Sequence, residues 1–236
     1  MCIRDSGTVI GWRACFGIMS VLALVLVAWV RLIVPDFPGQ ERGSRQSLGK
    51  VLTMRGVRPV LFVVLAFVLA HNILYTYIAP FLASVGMADR IDVVLLIFGV
   101  ASLAGIWIIG VLIDRHLRAL TIASTVLFGC AAAALGVAGE TNDVAIVHGA
   151  VAAWGLAFGG AATLFQTALA RAGGEAADVA QSMLVTAWNI AIAGGGLIGG
   201  LLLETLGARA FPPALLALLV PTLLVVWVNG AHHKTG

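Results

Sequence analysis

Seven apolar runs, each long enough to cross a lipid bilayer, occupy most of this 236-residue chain. A helix rises ~1.5 Å per residue, so about 20 apolar residues cross the ~30 Å of hydrocarbon. Backbone groups in that layer bond within the protein, which only helices and closed barrels achieve. The runs are continuous and lack the alternation of barrel strands. The sequence therefore predicts transmembrane helices at 12–34, 58–82, 92–113, 120–137, 144–169, 182–203 and 213–228.

The composition agrees with an all-α membrane protein. Hydrophobic residues make up 61% of the chain and charged residues 11%, and the mean hydropathy is +1.05. An average soluble domain is roughly 45–50% apolar and ~25% charged. We expect a multi-pass protein of the inner (plasma) membrane, with the lipid bilayer as its surroundings.

The distribution of Lys and Arg predicts the orientation, because positively charged loops stay in the cytoplasm. Placing the loop after the first span inside gives ten basic residues inside and four outside. The N-terminus is then outside and the C-terminus is cytoplasmic. The inside set is Arg31, Arg42, Arg45, Lys50, Arg55, Arg58, Arg115, Arg118, Arg171 and Lys234, and the outside set is Arg4, Arg13, Arg90 and Arg209.

A polar linker divides the chain into one span followed by six. Residues 35–57 contain two prolines and several polar side chains, as in a solvated cytoplasmic linker. Residues 1–6 carry charges and lack the apolar core of a signal peptide. We expect them to be a non-native leader on a truncated gene; a genuine short N-terminus is the alternative. The remaining predicted segments are a single helix at 7–34, a six-helix bundle at 58–229 and a cytoplasmic tail at 230–236.

Four stretches carry a family resemblance. They are GWRACF at 11–16, HNILYTYIAPFL at 71–82, GVLIDRHLR at 110–118 and the glycine-dense WNIAIAGGGLIGG at 188–200. In this order they resemble helix six, helix seven, the loop between helices eight and nine, and helix eleven of a major facilitator superfamily transporter. The resemblance is to the drug and sugar efflux branch of arabinose-efflux-like permeases. It implies a fragment: the last helix of the N-terminal bundle followed by the complete C-terminal six-helix bundle.

The loop at 110–118 has a physical rationale of its own. Gly110 precedes Asp114 by one turn, so a bare backbone lies beside the carboxylate and lets another helix approach. Asp114, Arg115 and Arg118 can form a charge-assisted gating latch at the cytoplasmic rim. The alternative is an ordinary positively charged hairpin. Leu117 stands where the family has glycine, and the resemblance implies a latch partner on the fifth helix, which this chain lacks.

Proline and glycine mark positions that bend or pack closely. Pro80 removes a backbone donor inside an apolar run, which predicts a kink. Such a break can serve a gate or merely shape the helix end. The glycines near the end of the sixth span favour close packing between helices; they are Gly194, Gly195, Gly196, Gly199 and Gly200.

Polar side chains at membrane depth are costly and usually face a cavity or another helix. His71, Asn72 and Tyr75 lie near mid-membrane, and their spacing allows them to line one broad face. They are candidates for a substrate cavity, or for hydrogen bonds between helices. Further candidates on the fifth and sixth spans are Gln166, Trp188 and Asn189.

The leading functional hypothesis is secondary active transport. The resemblance implies export of a small molecule, such as a drug or sugar, by proton antiport with alternating access. No Asp or Glu of the sequence lies deep in a predicted span. The coupling proton therefore binds either His71 or an acid in the missing N-terminal bundle, and we favour the second. Uptake of a sugar or organic acid, and a non-functional truncated half, are the alternatives.

Other classes fit less well. A retinal-bearing pump needs a mid-membrane lysine, whereas Lys50 and Lys234 lie in the linker and tail. Seven spans with the N-terminus outside also match a seven-helix receptor, but the efflux-like motifs weigh against that class. The HExxH and GxSxG patterns are absent from the sequence, which argues against an enzyme. The sequence indicates no cofactor, no metal site and no nucleic-acid partner.

Overall fold

The computed structural model describes residues 12–35 and 47–231. The expectations for the leader at 1–6, for residues 36–46 of the linker and for the end of the tail concern residues outside these ranges. The chain separates into two compact units, Met1–Arg45 and Gln46–Gly236.

The first unit contains one described helix, α1, at Trp12–Ile33. Its 22 residues correspond to about 33 Å, enough to cross the hydrocarbon layer. The hydroxyl of Ser20 donates to the carbonyl of Phe16 one turn earlier, 2.9 Å away, so this polar group is satisfied within the helix. Arg31 in the last turn suits the negative end of the helix dipole.

The second unit is built from helices in every part that the structure describes. Three short 3₁₀ turns, at Ala88–Arg90, Gly174–Ala176 and Ala208–Ala210, connect longer helices. The α-helices are α2 (Leu48–Thr53), α3 (Val57–Thr76), α4 (Ile78–Ser84), α5 (Ile91–Thr141), α6 (Val144–Gly159), α7 (Ala161–Gly173), α8 (Ala177–Leu206) and α9 (Phe211–Ala231).

Within the described ranges, five helical stretches are long and apolar enough to cross a membrane. Two of them are too long for a single crossing: α5 alone has 51 residues, or about 77 Å if it were straight. It breaks at His116, where φ is −129° and ψ is 25°. The stretch 144–206 breaks at Gly160 and again at Gly174–Ala176. Divided at His116 and at Gly174–Ala176, the helices have room for all seven predicted crossings. Val34 lies beyond its helix, and the predicted runs 58–82 and 144–169 each contain a break, at Tyr77 and at Gly160.

Local sequence explains the sharp turn between α5 and α6. Asn142 ends α5 in the left-handed region, with φ 54° and ψ 32°, a conformation that asparagine tolerates. Asp143 then caps α6, because its carboxylate accepts from the backbone N–H groups of Ala145 and Ile146 at 2.8 and 3.4 Å. Helix α6 packs extensively against α5. Gly155 lies against Phe98 and Gly160 against Ile109, so α6 runs in the same direction as the part of α5 before His116.

Helix α3 lies at the centre of the bundle, packing against α7, α8 and α9. Phe67 near its middle is fully buried. Its ring contacts the rings of Phe128 on α5, Phe158 on α6 and Phe165 on α7, at centroid distances of 5.3, 6.3 and 5.4 Å. A single side chain thus joins four helices of the bundle.

Glycine allows α5 and α6 to touch backbone to backbone. A Cβ on Gly155 would lie 2.5 Å from the carbonyl oxygen of Phe98, and one on Gly159 would overlap the carbonyl of Ser102. The hydroxyl of Ser102 donates to the carbonyl of Gly155 at 3.1 Å. This is the small-residue packing typical of membrane helices.

Candidate functional site

A cleft of about 210 Å³ lies between α7 and α8. Three of the predicted cavity residues, Gln166, Trp188 and Asn189, line it, and none of the others does. The remaining lining residues are Ala162, Leu184 and Val185.

The cleft combines one aromatic wall with two carboxamides. Trp188 is half-buried and lies near the rings of Phe158 and Phe165, at centroid distances of 6.3 and 6.4 Å. The side chains of Gln166 and Asn189 are exposed, and each carboxamide offers both donors and an acceptor. No Lys, Arg, Asp or Glu is among the lining residues. Such a surface suits an uncharged solute with a flat face and hydrogen-bonding groups.

Hydrogen bonds fix the geometry of this cleft. The amide of Asn189 donates to the carbonyl of Val185 one turn earlier, at 2.8 Å. Gln181 donates from α8 to the backbone carbonyl of Gln166 on α7, also at 2.8 Å. The second bond holds the two helices together beside the cleft, and sequence reasoning did not identify Gln181 as a site residue.

His71 lies in a packed aromatic cluster and does not line the cleft. Its ring is buried and stacks on Phe158 at 3.3 Å between centroids. Nδ1 of His71 accepts a hydrogen bond from the indole N–H of Trp154 at 3.2 Å. An indole nitrogen only donates, so Nδ1 carries no proton and the ring proton of the neutral imidazole is on Nε2.

The other two members of the predicted trio have different surroundings. Asn72 donates to the carbonyl of Val68 at 2.8 Å. It packs closely on α8, because a Cβ on Gly195 would lie only 2.5 Å from the Cβ of Asn72. Tyr75 stacks on His71 and is 47% exposed. Asn72 therefore makes a contact between helices, whereas Tyr75 lies at the accessible edge of the aromatic cluster around His71.

The basic loop residues contact backbone carbonyls at helix ends. Arg118 donates to the carbonyl of Trp227 on α9 at 2.9 Å, and Arg171 donates to the carbonyl of Asp114 at 3.3 Å. Such contacts satisfy the carbonyls at helix C-termini. Around Gly110 there is open space at the Cβ position, so no described helix makes the close approach that this motif allows. Asp114 and Arg115 are exposed.

Sequence reasoning missed the hydrogen bonds that Trp154 and Tyr77 donate to other helices. Trp154 is fully buried in α6, and a tryptophan inside an apolar run gives no signal beyond packing. Tyr77 donates from its hydroxyl to the carbonyl of Gly196 on α8 at 2.7 Å. Both partners are remote in sequence, so only the folded bundle reveals these bonds.

Comparison with known proteins gives a family match across most of the chain. The sequence profile of the Major Facilitator Superfamily matches residues 6–196. The match includes α1 and continues through α2 to the glycine-rich part of α8.

Curated relatives are efflux proteins. A probable sugar efflux transporter of Mannheimia succiniciproducens is 33% identical over 220 residues, which cover 86% of this chain and 51% of that protein. The purine ribonucleoside efflux pump NepI of Salmonella paratyphi B is 29% identical over 203 residues, 85% of this chain and 51% of that protein. The same pump of Salmonella typhimurium gives the same identity and coverage. The chain spans about half the length of the curated relatives it matches.

Proposed function

The chain belongs to the Major Facilitator Superfamily, and from that premise we propose that it forms the C-terminal part of a secondary transporter that exports a small molecule by proton antiport. Its second unit, with α3 at the centre, is the C-terminal six-helix bundle. The helix α1 is the last helix of the N-terminal bundle, whose other helices complete the transporter. Two bundles rocking about a central site give alternating access.

The cleft between α7 and α8 is the observation that carries this proposal. It is a small, half-open depression with an aromatic wall and two carboxamides, groups that can stack on a small molecule and form hydrogen bonds with it. Because it lacks charged lining residues, it favours an uncharged solute over an organic acid. A neutral lining fits a sugar or a nucleoside better than an organic acid.

The relatives narrow the substrate class. One is named for sugar efflux and others for purine ribonucleoside efflux. Sugars and purine ribonucleosides both carry hydroxyl groups that pair with carboxamides, and both have a face that stacks on an indole. We propose one of these two classes as the substrate, with Trp188 as the stacking surface and Gln166 and Asn189 as hydrogen-bonding partners.

Proton coupling is assigned to the N-terminal bundle. Among the described residues, the acids of the long helices lie near helix ends or breaks. They are Asp92 in the first turn of α5, Asp114 beside the break at His116, Glu140 in the last turn of α5, and Asp178 and Glu204 in the first and last turns of α8. His71 is enclosed by aromatic rings, with Nδ1 engaged by Trp154. An acid on one of the missing helices is therefore the better proton carrier.

Efflux from vesicles tests the function. The complete transporter is reconstituted into vesicles that contain radiolabelled inosine or radiolabelled glucose, and a pH gradient is imposed with the acidic side opposite the solute. We expect one of the two solutes to leave faster with the gradient than without it. Efflux of both at the protein-free rate, or efflux indifferent to the gradient, would contradict antiport.

The same assay shows whether the 236-residue chain is active alone or is an inactive half of the transporter. With the 236-residue chain alone, we expect efflux at the protein-free rate, because one bundle cannot alternate. Gradient-driven efflux by the chain alone would remove the need for a second bundle.

A further inference from the structure

The break between α3 and α4 lies at Tyr77, three residues before Pro80. Tyr77 has φ −112° and ψ 23°, outside the helical region, and its N–H reaches the carbonyl of Ile73 only at 3.4 Å. Pro80 has no N–H to donate to the carbonyl of Thr76, and its ring crowds that carbonyl. The sequence therefore places the interruption one turn before the proline.

Glycines of α8 receive the side chain of Tyr77. A Cβ on Gly199 would lie 2.6 Å from the tyrosine ring, and a Cβ on Gly200 would lie 2.8 Å from its hydroxyl oxygen. The hydroxyl donates to the carbonyl of Gly196 at 2.7 Å. The ring also lies 5.9 Å from that of Phe211 on α9. Any larger residue at Gly199 or Gly200 would displace the tyrosine.

This contact lies on the helix that carries the cleft. Gly196 follows Asn189 by seven residues, about 10 Å along the axis of α8. The break in α3–α4 is therefore joined by a hydrogen bond to the same helix that carries the wall of the cleft.

We propose that Tyr77 is a positioning residue whose hydroxyl fastens the break between α3 and α4 to α8, so that α4 and the cleft wall move together. The role in transport rests on the proposed function, whereas the joint itself does not. Without the hydroxyl, α4 opens on its own while Trp188 and Asn189 keep their positions.

Hydrogen–deuterium exchange of the 236-residue chain in lipid nanodiscs tests the joint. We expect Tyr77→Phe to speed exchange at 78–84 by about fivefold to tenfold, as the loss of one hydrogen bond in a locally opening segment implies. The midpoint of thermal unfolding should fall by no more than about 4 °C. Tyr75 is the only other tyrosine, and Tyr75→Phe is the matched control that should leave exchange at 78–84 unchanged.

A pair of glycine variants tests the same joint from α8. Gly200→Ala places a methyl group against the tyrosine hydroxyl, and should reproduce the effect of Tyr77→Phe. Gly196→Ala keeps the accepting carbonyl and enters open space, so exchange at 78–84 should stay at the wild-type rate. In the double variant Tyr77→Phe with Gly200→Ala, segment 78–84 should exchange no faster than in the faster single variant, because both changes remove the same hydrogen bond.

Unchanged exchange at 78–84 in both Tyr77→Phe and Gly200→Ala would overturn the proposal. So would an equal rise in the exchange rate of every helix, because Tyr77 would then only contribute to general packing.

Transport kinetics of the complete protein provide the second readout. We expect Tyr77→Phe to lower kcat several-fold while KM stays within about twofold. A raised KM with unchanged kcat would place Tyr77 in binding instead. Since exchange needs no substrate, failure of the joint and failure of the transport assignment are separate results.

Discussion

The indole N–H of Trp154 on α6 donates to Nδ1 of His71 on α3 across 83 residues of sequence. Both side chains are buried, and the rings of Phe98 and Phe158 surround the imidazole at 5.9 and 3.3 Å between centroids. This bond ties the central helix to the α5–α6 pair. It also satisfies Nδ1 of a buried histidine.

Removing only the donor of this bond should destabilise the bundle. Trp154→Phe leaves Nδ1 of His71 buried without a partner, which costs about 1–3 kcal/mol. Replacing both residues, as Trp154→Phe with His71→Phe, removes the unsatisfied group, so the double variant should lose less stability than the sum of the single variants. Denaturant unfolding in detergent micelles measures the three free energies. Strictly additive losses would show that the bond contributes nothing specific.

The α5–α6 contact should tolerate no side chain at Gly159. A methyl group there would overlap the backbone of Ser102, which forces the helices apart, and we expect a loss of about 1–3 kcal/mol for Gly159→Ala. Gly149→Ala on the same helix enters open space, and should be neutral or slightly stabilising. Thermal unfolding compares the two. Equal unfolding midpoints for the two variants would contradict close packing of Gly159 against Ser102.

The aromatic wall of the cleft should determine substrate affinity. In the complete transporter, Trp188→Ala removes the stacking surface, and we expect KM for efflux to rise about tenfold, corresponding to roughly 1.4 kcal/mol. Trp107→Ala is the control, because that indole is 72% exposed on α5 and does not line the cleft. If both variants raise KM equally, the effect comes from a general change in the packing of the bundle and not from stacking in the cleft.

Charged ends of the helices should lie on the predicted sides of the membrane. Arg115 and Arg209 are exposed at opposite ends of spans. In a chain with Cys2, Cys15 and Cys130 replaced by Ala, we expect a membrane-impermeant maleimide to label Arg209→Cys on intact cells. Arg115→Cys should react only after permeabilisation. Labelling of Arg115→Cys on intact cells would reverse the orientation.

Much of the fold was predictable because the bilayer imposes one length and one polarity on every crossing. The predicted run 182–203 lies inside α8, for example, and 213–228 lies inside α9. The side-chain partners were not predictable. Spacing alone puts His71, Asn72 and Tyr75 on one broad face, whereas tertiary packing assigns them to Trp154, Gly195 and an open surface. The glycine run predicts close packing but does not identify Tyr77 as the side chain that packs against these glycines.

The cleft residues were easier to recognise than the buried cluster. Gln166 and Asn189 are polar at membrane depth, which already suggests a cavity or a helix contact. Trp188 is adjacent to Asn189 in sequence, so one helix segment brings both to the cleft. Trp154 gave no comparable signal, because its hydrogen bond depends on a partner in another helix.

Protection of Asn189→Cys from maleimide tests whether the α7–α8 cleft binds the transported solute. The variant is made in the complete transporter with its native cysteines replaced by Ala, and Arg209→Cys, exposed between α8 and α9, is the control. We predict that inosine or glucose slows labelling of Asn189→Cys in a saturable manner and leaves labelling of Arg209→Cys unaffected. Labelling of Asn189→Cys at one rate with and without both solutes, in a transporter that still exports one of them, would show that the solute binds elsewhere.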